Sequence, residues 1–125
     1  MSMIGFESPA KEYEQQALSL DNILIPHPSA TYLARACGEA MEGAGIFDQD
    51  LLIIDRAETP VNGSVIVCTY NGVFYCRILD KVNGQLLAAR DDYAPVALHQ
   101  GEDFCIEGVV ISSVRLHVIP PDLRE

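Results

Sequence analysis

Ser64-Val65-Ile66-Val67-Cys68-Thr69-Tyr70-Asn71-Gly72-Val73-Phe74-Tyr75-Cys76-Arg77-Ile78-Leu79 consists of two apolar, β-branched and aromatic runs joined by Asn-Gly. Asn-Gly suits the two positive-φ positions of a type I′ turn, so this stretch predicts a tight β-hairpin. Val82-Asn83-Gly84-Gln85 repeats the turn signal and extends the hairpin to a three-stranded meander. Leu51-Leu52-Ile53-Ile54 reads as a short buried strand. Phe104 to Val118 reads as a long, mostly apolar final strand, bent near Gly108. Helix signals are sparse. Ser8-Pro9 followed by Ala10 to Gln16 predicts one short helix, with Glu12 and Glu14 suiting its dipole. Met41-Glu42-Gly43-Ala44 supports a single turn at most. From Asn22 onward the signals are for strands. The expected architecture is mainly β: an N-terminal arm over 1–21 and one domain over 22–125, with no internal boundary.

Composition narrows the function. A chain of 125 residues buries roughly two thirds of its unfolded surface, enough for one core without disulfide or metal staples. Its apolar runs are strand-sized, well short of the ~20 residues that cross a bilayer. Met1-Ser2-Met3-Ile4 carries no signal-peptide core, which predicts a cytoplasmic protein without membrane contact. Cys37, Cys68, Cys76 and Cys105 form no CxxC pair and no metal-ligand spacing with His27, His99 or His117, so four reduced, mostly buried thiols are expected and no metal or cofactor. The net charge is −10, with only eight Lys and Arg scattered singly. Neutralising phosphates needs clustered cations, so direct binding to nucleic acid is not expected.

Several blocks, in order, carry a family resemblance: Gly5-Phe6-Glu7-Ser8-Pro9-Ala10, His27-Pro28-Ser29-Ala30-Thr31-Tyr32, Gly45-Ile46 followed by Asp48-Gln49-Asp50-Leu51-Leu52-Ile53-Ile54-Asp55, Gly63 to Val67, Tyr93-Ala94-Pro95-Val96, and Ile106-Glu107-Gly108-Val109-Val110. Together they resemble the LexA/UmuD family of self-cleaving Ser–Lys proteases across residues 5–118, and the processed form of UmuD in particular. Gln49 stands where the family has a glycine. The resemblance implies a LexA/signal-peptidase-like fold of bent antiparallel sheets. It places Ala40, in Cys37-Gly38-Glu39-Ala40-Met41, at the serine and Arg77, 37 positions later, at the lysine. It places the scissile bond between Ile4 and Gly5, so that the chain starts about where a cleaved relative starts. It also implies a homodimer through the last strand around Ile106, Val109 and Ile111. An exposed strand edge is a template for self-pairing, although about half of these side chains must face the core. Further implied partners are the catalytic subunit of a Y-family DNA polymerase and a recombinase filament.

The residues argue against the family's chemistry. A Ser–Lys dyad needs a hydroxyl nucleophile and a neutral amine to take its proton. The Ala40 methyl cannot attack a carbonyl. A guanidinium with a pKa above about 12 offers no base at neutral pH. Cys37 has no base placed beside it by any motif, and alternation points Cys76 to the face opposite Arg77. Ser64, Ser112 and Ser113 are strand residues without a recognisable base. Asp48 and Asp50 suit a structural turn. A nearby carboxylate such as Glu39 would give Arg77 a structural ion pair, although nothing in the sequence fixes that geometry. No residue is assigned a catalytic role. The expected function is that of a non-catalytic, UmuD-like accessory subunit of an error-prone polymerase in the SOS response to DNA damage. Two other readings stand beside it. One is a Ser–Lys protease in inactivated or truncated form, since Ser→Ala is also how a protease is trapped; Arg77 weighs against it. The other is the dimerising C-terminal domain of a repressor.

Overall fold

The computed structural model describes residues 19–123, and these form one seven-stranded sheet. The strands are β1 (Thr31–Arg35), β2 (Leu51–Asp55), β3 (Val65–Tyr70), β4 (Val73–Asp80), β5 (Gln85–Leu87), β6 (Val96–Ala97) and β7 (Phe104–Val114). Their order across the sheet is β1-β2-β7-β3-β4-β5-β6, and every neighbouring pair is antiparallel. The mainly-β expectation and the meander are both borne out. Asn71 and Gly72 have φ of 51° and 82°, the turn their sequence encodes, and Tyr70 pairs directly with Val73. The expected scissile position Ile4–Gly5, the expected helix over Ala10 to Gln16 and most of the expected 1–21 arm lie outside the described residues. Among the described residues, no helix is long and apolar enough to cross a membrane.

The hairpin buries both of its faces because its two strands are apolar at successive positions. Val65, Val67, Cys76 and Ile78 pack against a core of Ala36, Ala40, Met41, Ile46, Leu52 and Ile54. On the other face, Ile66, Cys68, Leu79 and Leu86 form a second core with Val109. Burying side chains of this size stabilises by about 1.5–3 kcal/mol each, before the opposing chain entropy.

Five expectations need correction. Leu20–Leu24 is a short helix (α1) where strand signals were expected, because the Ser19 hydroxyl accepts from the Asn22 N–H at 3.2 Å and caps it. His27 does not belong to a strand; it precedes a single 3₁₀ turn, Pro28–Ala30. The last strand ends at Val114 rather than Val118, because Val114 pairs with Leu51, the first residue of β2, and Arg115 turns to the Asp50 carboxylate. Nor is that strand a sheet edge. Its first half pairs with β3 and its second half with β2, and Glu107 and Ile111 are the extra residues at two bulges. The bend thus brackets Gly108, where a Cβ would lie 2.5 Å from Ile54 Cγ2. Val109 is only 7% exposed, so its side chain belongs to the core rather than to a dimer surface; Ile106 and Ile111 are half-buried.

Candidate functional site

Between the end of β1, the loop that follows it and β4 lies a cavity of about 430 Å³ whose walls include both Ala40 and Arg77. The fold therefore brings together the two positions singled out in the sequence. The loop carrying Ala40 is fixed by backbone bonds on both sides. On one side, Ala36 N–H donates to Asp50 O at 2.8 Å and Gln49 N–H to Ala36 O at 2.7 Å. On the other, Ala89 N–H donates to Ala40 O at 2.7 Å and Gly43 N–H to Ala89 O at 2.9 Å. The Asp48 carboxylate accepts from the Gly38 N–H at 2.7 Å. Asp50, 2% exposed, accepts from Phe47 N–H and from two guanidinium nitrogens of Arg115, at 2.9 and 3.0 Å. The hydrogen bond from Arg115 holds its carboxyl below the ordinary range, with burial opposing. Both aspartates are thus turn-builders. Gln49 has a positive φ of 74°, a conformation that glycine, the residue the family resemblance expects there, would favour.

Among the described residues, Arg77 is held by aromatic faces rather than by a carboxylate. Its guanidinium carbon lies 5.3 Å from the Tyr75 ring centre and 5.7 Å from that of Tyr93, and its Nη1 donates to Cys76 O at 2.9 Å. Glu39 does not pair with it. Arg90 takes Glu39 at 2.9 Å, Glu42 at 3.1 Å and Asp92 at 2.8 Å, and also lies over Tyr93. Tyr93 lies on an irregular segment 16 residues beyond Arg77, where no periodic signal could have paired the two.

Alternation holds on β4, with an outcome the sequence did not reveal. Arg77 pairs with Ile66, whereas Cys76 pairs with Val67 and packs into the core that contains Ala40. Cys76 thus lines the cavity beside Arg77. Burial pushes its thiol up to about 11, against the favourable charge of Arg77, so it is protonated and a poor nucleophile at neutral pH. Cys68 is likewise pushed up to about 11 by burial. The thiols are not mostly buried, however: Cys37, at the cavity rim, and Cys105 are exposed. The Ser64 hydroxyl accepts from Val61 N–H at 2.9 Å, and Ser112 and Ser113 sit opposite Ile53 and Leu52 in the sheet.

One histidine is engaged in a way its isolated place in the sequence did not announce. His27 Nδ1 lies 2.6 Å from Asp55 Oδ2, with Asp55 fully enclosed and His27 about half exposed. Ala57 N–H donates to the other carboxylate oxygen at 2.8 Å. The pair does not line the cavity; it ties the segment before β1 to the end of β2. Asp55 is held below its ordinary 3.8, first by the hydrogen bond from His27, and burial opposes this. His27 is raised above its ordinary 6.5, first by the same bond and then by the Asp55 charge. The Asp55 contribution is present above 3.8 and is lost as pH falls through its lowered folded value. The His27 contribution is full below 6.5 and is lost as pH rises through its raised folded value. The pair therefore stabilises most between those limits. The wild-type melting temperature is expected to fall between about pH 6 and about pH 8.5, with a much smaller fall in His27→Ala. Parallel melting curves of the two proteins at both pH values check this, and equal slopes would contradict it.

A family model described as Peptidase S24-like matches residues 2–111 of the chain. The chain is 38% identical to protein ImpA of Salmonella typhimurium over 106 residues, which cover 85% of this chain and 73% of ImpA. Against protein MucA of Escherichia coli the identity is 37% over 118 residues, covering 92% of this chain and 80% of MucA. Against the LexA repressor of Bordetella parapertussis it is 29% over 108 residues, covering 85% of this chain and half of the repressor.

Proposed function

Because the chain belongs to the LexA/UmuD family of S24-like peptidases, we propose that it is a non-catalytic, UmuD-like accessory subunit of an error-prone Y-family DNA polymerase, acting in the cytoplasm in the SOS response. One observation carries this reading. Ala40 and Arg77, the positions that the family resemblance assigns to the dyad, line one cavity, and they hold a methyl group and a guanidinium that lies over two tyrosine rings. Neither can act as nucleophile or base, and losing one member of such a unit already removes most of its rate. The inactivated-protease reading gains little from this geometry. A trap needs only the serine changed, whereas Arg77 sits in a setting of two aromatic rings. The charge of −10 fits a subunit whose partner holds the DNA. The repressor-domain reading draws support from the LexA match, at lower identity than the ImpA and MucA matches.

In this reading the chain is a homodimer, with Ile106 and Ile111 contributing surface and Val109 supporting them from the core. The test is affinity capture of the protein from its own cells after DNA damage, with mass spectrometry of the eluate and light scattering of the purified protein. A Y-family polymerase in the eluate and a dimer at micromolar concentration are the expected results. A monomer, or a dimer that brings down a DNA-binding repressor fragment and no polymerase, would overturn the proposal.

A further inference from the structure

Where the ancestral chemistry would have been, the cavity offers a distinct recognition chemistry. The chain is strongly acidic, yet among the described residues the charged ones that line the cavity are Arg35 and Arg77, with no Asp or Glu. Arg35 already donates to Gln49 Oε1 at 3.3 Å and to Leu123 O at 2.8 Å. Arg77 uses one N–H on its own strand, and among the described residues no carboxylate lies within ion-pair distance of it. A guanidinium laid over aromatic faces keeps its N–H edge for a planar, bidentate acceptor. The remaining wall is apolar: Ala36, Ala40, Met41, Ile46, Leu52 and Val67 contribute to it. A few polar anchors in a largely apolar pocket of this size match sites that enclose a small ligand.

We propose that the cavity binds the C-terminal end of an apolar peptide, with the terminal carboxylate received by Arg77 and the adjoining side chains packed over Ala40. A peptide is favoured over a simple fatty acid because β1, which runs into the cavity wall, is the outermost strand of the sheet, and among the described residues one of its edges is unpaired. An extended backbone can add to such an edge, and an alkyl chain cannot. The inference rests on the reading that the cleft no longer cleaves peptides.

The probe is N-acetyl-Leu-Ala as free acid, against its carboxamide and octanoate, followed by amide chemical shifts of the whole protein at neutral pH. The acid is expected to bind at least about tenfold more tightly than the amide and to shift residues around Arg77, since a charge-assisted pair is worth about 1.5 kcal/mol or more. Arg77→Met should abolish that preference, and Arg77→Lys should keep part of it, each with an unchanged melting curve. Equal binding of acid and amide, no saturation at millimolar concentration, or octanoate binding as tightly as the peptide acid would each overturn the proposal. A longer apolar peptide incubated alongside and weighed by mass spectrometry reports cleavage separately. Cleavage would refute the non-catalytic reading while leaving the acid–amide comparison to stand or fall alone.

Discussion

Gly43→Ala is expected to lower the melting temperature by on the order of 10 °C, the largest effect of any small substitution near the cavity. Gly43 sits in the single 3₁₀ turn Glu42–Ala44, just after Ala40. A Cβ there would drive into the backbone carbonyl of Ala89, which is the acceptor of Gly43's own N–H. A main-chain atom cannot rotate aside as a side-chain tip can. The loop and the segment after β5 must separate, and this breaks both the Gly43–Ala89 bond and the reciprocal Ala89–Ala40 bond. Two hydrogen bonds at about 1 kcal/mol each, with overpacking of about 1–3 kcal/mol, put the cost at roughly 3 kcal/mol or more. That is a large share of a stability of about 5–15 kcal/mol. Gly45→Ala is the control. It meets no atom within 4 Å, and its φ of 83° carries only the left-handed penalty of about 1–2 kcal/mol. Calorimetry of the three proteins, with hydrogen exchange at Gly43 and Ala89, checks the ordering. An unchanged melting temperature in Gly43→Ala would mean that the clamp does not hold Ala40 in place.

The hairpin was legible because Asn71-Gly72 specifies its own backbone angles and the flanking residues specify a pleated, two-sided core; both are local statements. The meeting of Ala40 and Arg77 was legible only through the family resemblance, since nothing in residues 37 positions apart encodes a contact. What failed was pairing at a distance. A long apolar run reads the same whether it lies at an edge or in the middle of a sheet, so β7 was expected to be exposed, although β2 and β3 flank it. Glu39 looked like the partner of Arg77 by proximity to the site, but Arg90 is the cation that reaches it. Cys76 was set aside because alternation turned it from Arg77. The same alternation turned it toward the core of Ala40, and sequence alone does not say which face of a strand meets which loop. The helix at Leu20 was missed for a smaller reason. Ser19 with Asp21 is a start signal, but the helix has only five residues and no apolar period to support it.

Installing the dyad that the family resemblance places here, Ala40→Ser with Arg77→Lys, is expected to raise peptide cleavage by more than about a hundredfold over either single variant, from a background indistinguishable from the unaltered protein. Each single change leaves half of a unit. Serine beside a guanidinium has no proton acceptor, and lysine beside a methyl group has nothing to deprotonate. The frame that must hold them persists. The Ala40 loop is bonded to Asp50 on one side and to Ala89 on the other, and both positions line one cavity. The apolar wall, which includes Met41, Leu52, Val67 and the protonated Cys76, is the setting that favours a neutral amine over an ammonium ion. Cleavage should therefore increase with pH as the introduced lysine loses its proton. A peptide spanning an Ala-Gly bond, as the family resemblance implies, followed by mass spectrometry across a pH series, is the measurement. Activity in the double variant alone would mean that the loss of chemistry resides in these two side chains. No activity in any variant, with melting curves intact, would place the loss in the surroundings as well. Tyr93 is then the first suspect, because the aromatic pair that seats a guanidinium at Arg77 would hold the shorter ammonium away from residue 40.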